Sequence, residues 1–210
     1  MATITRRVGP SDHGRRMTLD EFIEADFEEG WLYELARGVV VVTEVPEVFH
    51  GRIVSRLANL LERYEQDGGR AMDYRAGRAA CALRLPGMQS SRHPDQAVYF
   101  FPPPEIDQPW ARWIPDIVIE VVSAGSEVRD YTEKREEYLR AGVREYWILD
   151  PTPRILLAQK RFGDVWQDVL VPADAVYQTH LLPGLLVHPE ILLGPVEGIS
   201  VVRPGIQTSA

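Results

Sequence analysis

A chain of 210 residues with a formal net charge of −8 and a pI near 5.2 is ill suited to coating nucleic acid nonspecifically, because such binding draws on counterion release by clustered Lys and Arg. Hydrophobic residues at 45% and charged residues at 26% place it among globular proteins able to bury a full core. The single cysteine, Cys81, excludes an internal disulfide, and neither a leader-like segment nor a long unbroken apolar run is present, so a cytoplasmic protein without membrane contact is expected.

In chain order, residues 1–16 are polar, arginine-rich and without periodicity, which predicts a loose arm ahead of one domain over 17–210. Thr18 and Glu21 have capping-box spacing before a short helix. YELARGVVVVTEVP reads as a β-rich run folded at Arg37-Gly38. In FHGRIVSRLANLLERYEQDGG, Phe49, Ile53, Leu57, Leu60, Leu61 and Tyr64 recur at helical spacing, and Gly68-Gly69 ends the run. Two strands are expected near 72–85 and 95–101, joined by a PGMQSS loop. This region holds five arginines (Arg70, Arg75, Arg78, Arg84, Arg92) against Asp73, either a local basic surface or a solvated strand face.

The proline-rich segment FPPPEIDQPWARW predicts an irregular excursion whose aromatics offer a candidate interface. Residues 114–122 are apolar on both faces, as in a sheet centre. A helix follows over 130–141, begun by Asp130 and Glu133 and ended by Gly142, and EYWILD returns as a strand. Helix between strands predicts a parallel pair. Beyond residue 154, short apolar runs separated by Pro and Gly predict further antiparallel strands and a loop-rich cap.

Chemistry enters where charge falls on elements that are otherwise put away from water. Alternation places Asp116, Val118, Glu120 and Val122 on one face of their strand. Asp116 stands at the strand entrance, where capping a turn explains it, whereas Glu120 lies deeper and needs a cation. Lys134 shares a helical stripe with Tyr131, Tyr138 and Ala141, which leaves Arg135, Glu136, Glu137 and Arg140 to other faces. Of 23 basic residues only Lys134 and Lys160 are lysines, and an ammonium differs from guanidinium in shape and in how readily its pKa moves. Lys134 either meets Glu120 or snorkels to solvent. Asp95, after Pro94, adds a second acid. Two carboxylates and a lysine are what Mg²⁺-assisted phosphodiester cleavage requires.

YELARGVVV, RHPDQAVYF and PDIVIEVVS…EKREEYLRAGVREYWILDP together resemble the Uma-type family of restriction endonucleases within the PD-(D/E)XK nuclease superfamily, from about Thr18 to Asp150 and more loosely beyond. The resemblance implies an α/β fold with a mixed sheet, a restriction-endonuclease-like αβββαβ core and extra C-terminal strands. It makes Asp95 and Glu120 the catalytic, metal-binding acids of the first and second motifs. The signature lysine belongs two residues after Glu120, where Val122 stands; the resemblance moves it to Lys134. Glu34 matches an acidic position that assists in metal binding, though a plain hairpin glutamate explains it equally, and His50 matches a further family feature. SAGS in place of a Ser-Pro-Ser type loop and Arg37-Gly38 in place of Asp-Gly depart from the pattern without touching these ligands.

Two functional classes follow. One is a Mg²⁺-dependent (or Mn²⁺-dependent) endonuclease acting on DNA, working as a homodimer with two-fold-related sites. The other is a catalytically silent binding or assembly module in which the acids form structural ion pairs.

Overall fold

The apolar residues of PDIVIEVV divide between two faces, and the computed structural model, which describes residues 7–45 and 47–194, packs a helix against each. The chain opens with α1 (Leu19–Glu24), capped by Thr18 and Glu21 in a reciprocal capping box. Strands β1 (Trp31–Ala36) and β2 (Val39–Glu44) form a hairpin. Its turn places Arg37 at φ +50° and Gly38 at φ +78°, the paired left-handed conformation that suits a two-residue hairpin. Helix α2 (Val48–Gln66) follows. Then come β3 (Tyr74–Ala76), β4 (Leu83–Leu85), β5 (Ser90–Arg92), β6 (Gln96–Tyr99) and β7 (Ile117–Val121). A π-turn over Arg129–Glu133 leads into α3 (Lys134–Ala141), closed by Gly142 at φ +101°. Strands β8 (Glu145–Asp150), β9 (Ile155–Phe162) and β10 (Val165–Val171) and the short helix α4 (Pro189–Leu193) complete the described chain.

Six strands form the central sheet in the order β10-β9-β8-β7-β6-β3. Its neighbours are antiparallel except β7 and β8, which run parallel with the π-turn and α3 between them. Ile117, Ile119 and Val121 share a buried cluster with Ile53, Leu57 and Leu61 of α2. Val118 and Val122 instead cluster with Tyr138 of α3, Val143, Tyr146 and Ile148. The order α2, β3, β6, β7, α3, β8 is the αβββαβ core expected from the sequence, with β9 and β10 as the added C-terminal strands. A second, four-stranded sheet, β2-β1-β5-β4, carries Glu34 and Arg92, both of which pair with residues of α3.

Three local expectations change. Of the arm expected over 1–16, residues 1–6 lie outside the described residues, whereas Val8 bridges Phe27 and is buried beside Leu19 and Phe22. Residues 195–210 of the expected cap likewise lie outside them. The strand expected at 72–85 is interrupted by a 3-10 turn over Arg78–Ala80, and the expected PGMQSS loop ends in strand β5. The physical reason is at Gly77, where an added Cβ would stand 2.9 Å from the backbone oxygen of Asp95. Only glycine allows the chain to pass this close before it turns. The Gly77→Ala protein is therefore expected to lose about 1–3 kcal/mol of stability in urea unfolding, the ordinary cost of overpacking; a loss below about 0.5 kcal/mol, the usual scatter of neutral surface changes, would contradict that packing.

Candidate active site

Glu120, one residue from the end of β7, and Lys134, the first residue of α3, are 1% and 2% exposed. The Lys134 Nζ lies 2.9 Å from Glu120 Oε1, 3.1 Å from Asp130 Oδ1 and 3.7 Å from Glu34 Oε1. Of the two readings of this lysine, the structure shows the buried pair rather than the snorkelling side chain. Tyr138, one turn further along α3, donates its hydroxyl to Glu120 Oε1 at 2.7 Å. Ser126 donates to Asp130 Oδ2 at 2.6 Å. Both contacts of Glu120 fall on Oε1.

Asp95 precedes β6 and is as buried as Glu120. Its Oδ2 accepts the backbone N–H of Val121 at 2.8 Å and lies 3.1 Å from His50 Nε2 at the start of α2. Its Oδ1 accepts from Arg78 Nε at 2.5 Å. Asp116, at the strand entrance, instead accepts from Phe100 N–H and from Arg144, each at 2.9 Å, and is structural.

A further ion network lies behind Glu34. Arg92 is completely buried and clasps Glu137 with two hydrogen bonds, Nε to Oε2 at 2.8 Å and Nη2 to Oε1 at 3.0 Å. It also reaches Glu34 at 3.2 Å, and Glu34 accepts the His93 N–H at 3.2 Å. Glu137 is thus not on an outer face: α3 packs against the second sheet as well as the first, so one apolar stripe does not describe its burial. The other arginines of the 70–92 segment are also engaged within the chain. Arg70 lies over the Phe100 ring, Arg75 bonds Ala58 O and Glu62, and Arg84 bonds Gln108. These arginines thus have partners within the chain while remaining partly exposed. Trp110 and Trp113, expected to offer an aromatic interface, stack instead with Tyr74 and Tyr99.

Burial pushes the Glu120 carboxyl up to about 7; Lys134 opposes this, while Asp95, Asp130 and Glu34 add to it. Burial also disfavours the Lys134 ammonium, but Glu120, Glu34 and Asp130 outweigh it and hold the group charged. Asp95 and Glu34 are burdened by burial too, yet are held below the usual carboxylate range, Asp95 by His50 and Arg78, Glu34 by Lys134, Arg92 and Arg129.

A cleft of about 510 Å³ is lined by His50, Arg78, Val122, Ser123 and Arg129 among others. A neighbouring cavity of about 340 Å³ is lined by Phe27, Tyr33, Glu34, Lys134 and the same two arginines. Neither Asp95 nor Glu120 lines either space.

The carboxylate oxygens of Asp95, Glu120 and Glu34 are of the donor type that a hard divalent cation takes; Glu120 is raised first by its burial and then by the neighbouring acids. Among the described residues no group of three His, Cys, Asp or Glu stands ready to enclose a metal.

Two outcomes follow. A folded state that keeps the Glu120 proton up to about pH 7, against an ordinary value of 4.5, binds more protons than the unfolded chain in that window, so this group's stabilising contribution declines as pH rises through it. The stability difference between Glu120→Gln and wild type should shift toward the variant by about 1–3 kcal/mol between pH 5 and 8; a parallel pair of pH–Tm curves would contradict this. Replacing Lys134 by Met should cost about 3–5 kcal/mol in urea unfolding, because it strands buried carboxylates, whereas a loss under about 1 kcal/mol would match an exposed pair.

Residues 19–190 match the family described as "Uma2: Putative restriction endonuclease". No curated protein matches. Among solved structures, the chain is similar to a protein of Anabaena variabilis titled a putative nuclease belonging to DUF820, with a TM-score of 0.67 and 20% identity over 84% of this chain and 97% of that one. At this identity the likeness concerns the fold, and it agrees with the mixed-sheet nuclease architecture expected from the sequence. With most of its length matched, from α1 through the start of α4, the chain belongs to the Uma2 family of restriction-endonuclease-like proteins.

Proposed function

We propose that the protein is a divalent-metal-dependent endonuclease that hydrolyses phosphodiester bonds in DNA, with Asp95 and Glu120 as the metal-binding acids, Glu34 assisting, and Lys134 orienting the attacking water. The observation that carries this reading is the Lys134 ammonium, buried between the acid of β7 and the acid of β1. In this position it occupies from the helix the role that Val122, two residues after Glu120, cannot fill from the strand. Mg²⁺ or Mn²⁺, when bound, would polarise the phosphate and acidify a water.

The protein's own residues do the rest. Tyr138 and Lys134 fix Glu120 through Oε1. The Val121 N–H and His50 fix Asp95. The longest contact of Lys134, 3.7 Å to Glu34, is the one that most readily gives way to a water, whose developing charge the ammonium offsets. A homodimer that brings two such sites to opposite strands belongs to the same reading.

One observation favours a second reading, a silent binding module: both oxygens of Asp95 and one of Glu120 already carry protein partners. Plasmid nicking separates the two. Wild type with Mg²⁺ or Mn²⁺ should relax supercoiled DNA. Asp95→Asn and Lys134→Arg, which keep size or charge, should each lose about 100-fold or more of that rate while still folded, since guanidinium cannot take the place of a compact ammonium. Wild type that leaves DNA intact with either metal, or a Lys134→Arg protein as active as wild type, would count against the nuclease.

A further inference from the structure

We propose that Arg78 is an exchangeable counter-ion: its guanidinium holds the cation seat at Asp95 until a divalent metal arrives, and then turns to the substrate phosphate. This rests on the nuclease reading above and adds a residue and a coupling that the family match does not supply. The geometry is specific. Gly77 passes against the Asp95 backbone with no room for a Cβ, so the chain leaves β3 at the one point that delivers Arg78 Nε to within 2.5 Å of Asp95 Oδ1. Asp95 is buried and lines neither cavity, whereas Arg78, with a side chain 29% exposed, lines both. The guanidinium therefore stands between the acid and the open space.

A side chain that is part-exposed and attached through a single nitrogen has both a route out and a reason to move. Arg129 lines the same two cavities, and its Nε is buried without a hydrogen-bond partner. Two guanidinium groups bordering the same cavities suit a phosphate, which accepts paired N–H donors in their planar geometry. The charges also balance. A dication at Asp95 displaces one positive charge, and the displaced guanidinium meets the negative charge of the phosphodiester. Metal and phosphate then each favour the binding of the other, as linkage requires.

Calorimetry with Mn²⁺ alone, without DNA, reads the first half. Arg78→Met should bind Mn²⁺ about tenfold more tightly than wild type, because the metal no longer competes with a resident cation. Arg129→Met, which removes an equal charge from the same cavities but no contact to Asp95, should change Mn²⁺ affinity by about twofold or less, as expected of a screened neighbour. Both variants should bind a short DNA duplex in Ca²⁺ more weakly than wild type. If Arg78→Met lowers the melting temperature markedly, Arg78→Gln serves the same comparison.

Unchanged or weaker Mn²⁺ binding by the Arg78 variants overturns the inference, as does equal tightening in Arg129→Met. If wild type shows a Mn²⁺ heat that Asp95→Asn abolishes and the Arg78 variants are no tighter, the inference alone falls. If no protein of the set shows any Mn²⁺ heat, the nuclease reading falls with it.

Discussion

One buried ammonium organises this protein. A charge as enclosed as that of Lys134 costs several kcal/mol unless it is closely paired, and here the pairing comes from three separate parts of the chain: Glu120 from β7, Asp130 from the turn before α3, and Glu34 from β1. Each partner constrains its element. β7 must lie at the sheet centre with Glu120 facing α3, the π-turn must present Asp130 one turn before the lysine, and the β1–β2 hairpin must close over the helix. Hydrophobic burial supplies most of the folding free energy, but it does not specify these relative placements, whereas a buried charge tolerates few alternatives.

Arg92 repeats the device against the same helix. Its fully buried guanidinium joins β5 to α3 through Glu137 and to β1 through Glu34, so Glu34 belongs to both networks. The second sheet is thereby locked to the helix that carries Lys134. Asp95 is held separately, by α2 through His50 and by the β6–β7 pair through the Val121 N–H. Of the two side chains that bond Asp95, Arg78 and His50, both border open space and Arg78 is the more exposed, at 29% against 7%.

Much of this was legible in the sequence because it is local. Alternation along β7 set Glu120 on a buried face, and the 3.6-residue period set Lys134 in line with Tyr138; those two periodicities alone bring the pair to the same side of one strand–helix unit. The position of Glu34 was legible only through the family resemblance, since a glutamate in a hairpin carries no periodic signal. What escaped depends on contacts distant in sequence. Glu137 reads as an outer residue when α3 is assumed to pack on one sheet, and only the second sheet explains its burial. Arg78 is one of five arginines in a row of similar surroundings, and nothing short of the Gly77–Asp95 approach distinguishes it. The prolines of 102–113 correctly marked an excursion, but their tryptophans pack inward on Tyr74 and Tyr99, a contact made across the sheet edge.

The nuclease reading requires Asp95, which precedes β6, and Glu120 of β7 to share one divalent cation beside the Lys134 ammonium. The most direct test is an anomalous-difference map from crystals of the protein soaked in Mn²⁺. A peak is expected about 2.1 Å from a carboxylate oxygen of both Asp95 and Glu120, with the Arg78 side chain displaced from Asp95. A peak confined to surface carboxylates, with Arg78 still bound to Asp95, would contradict it.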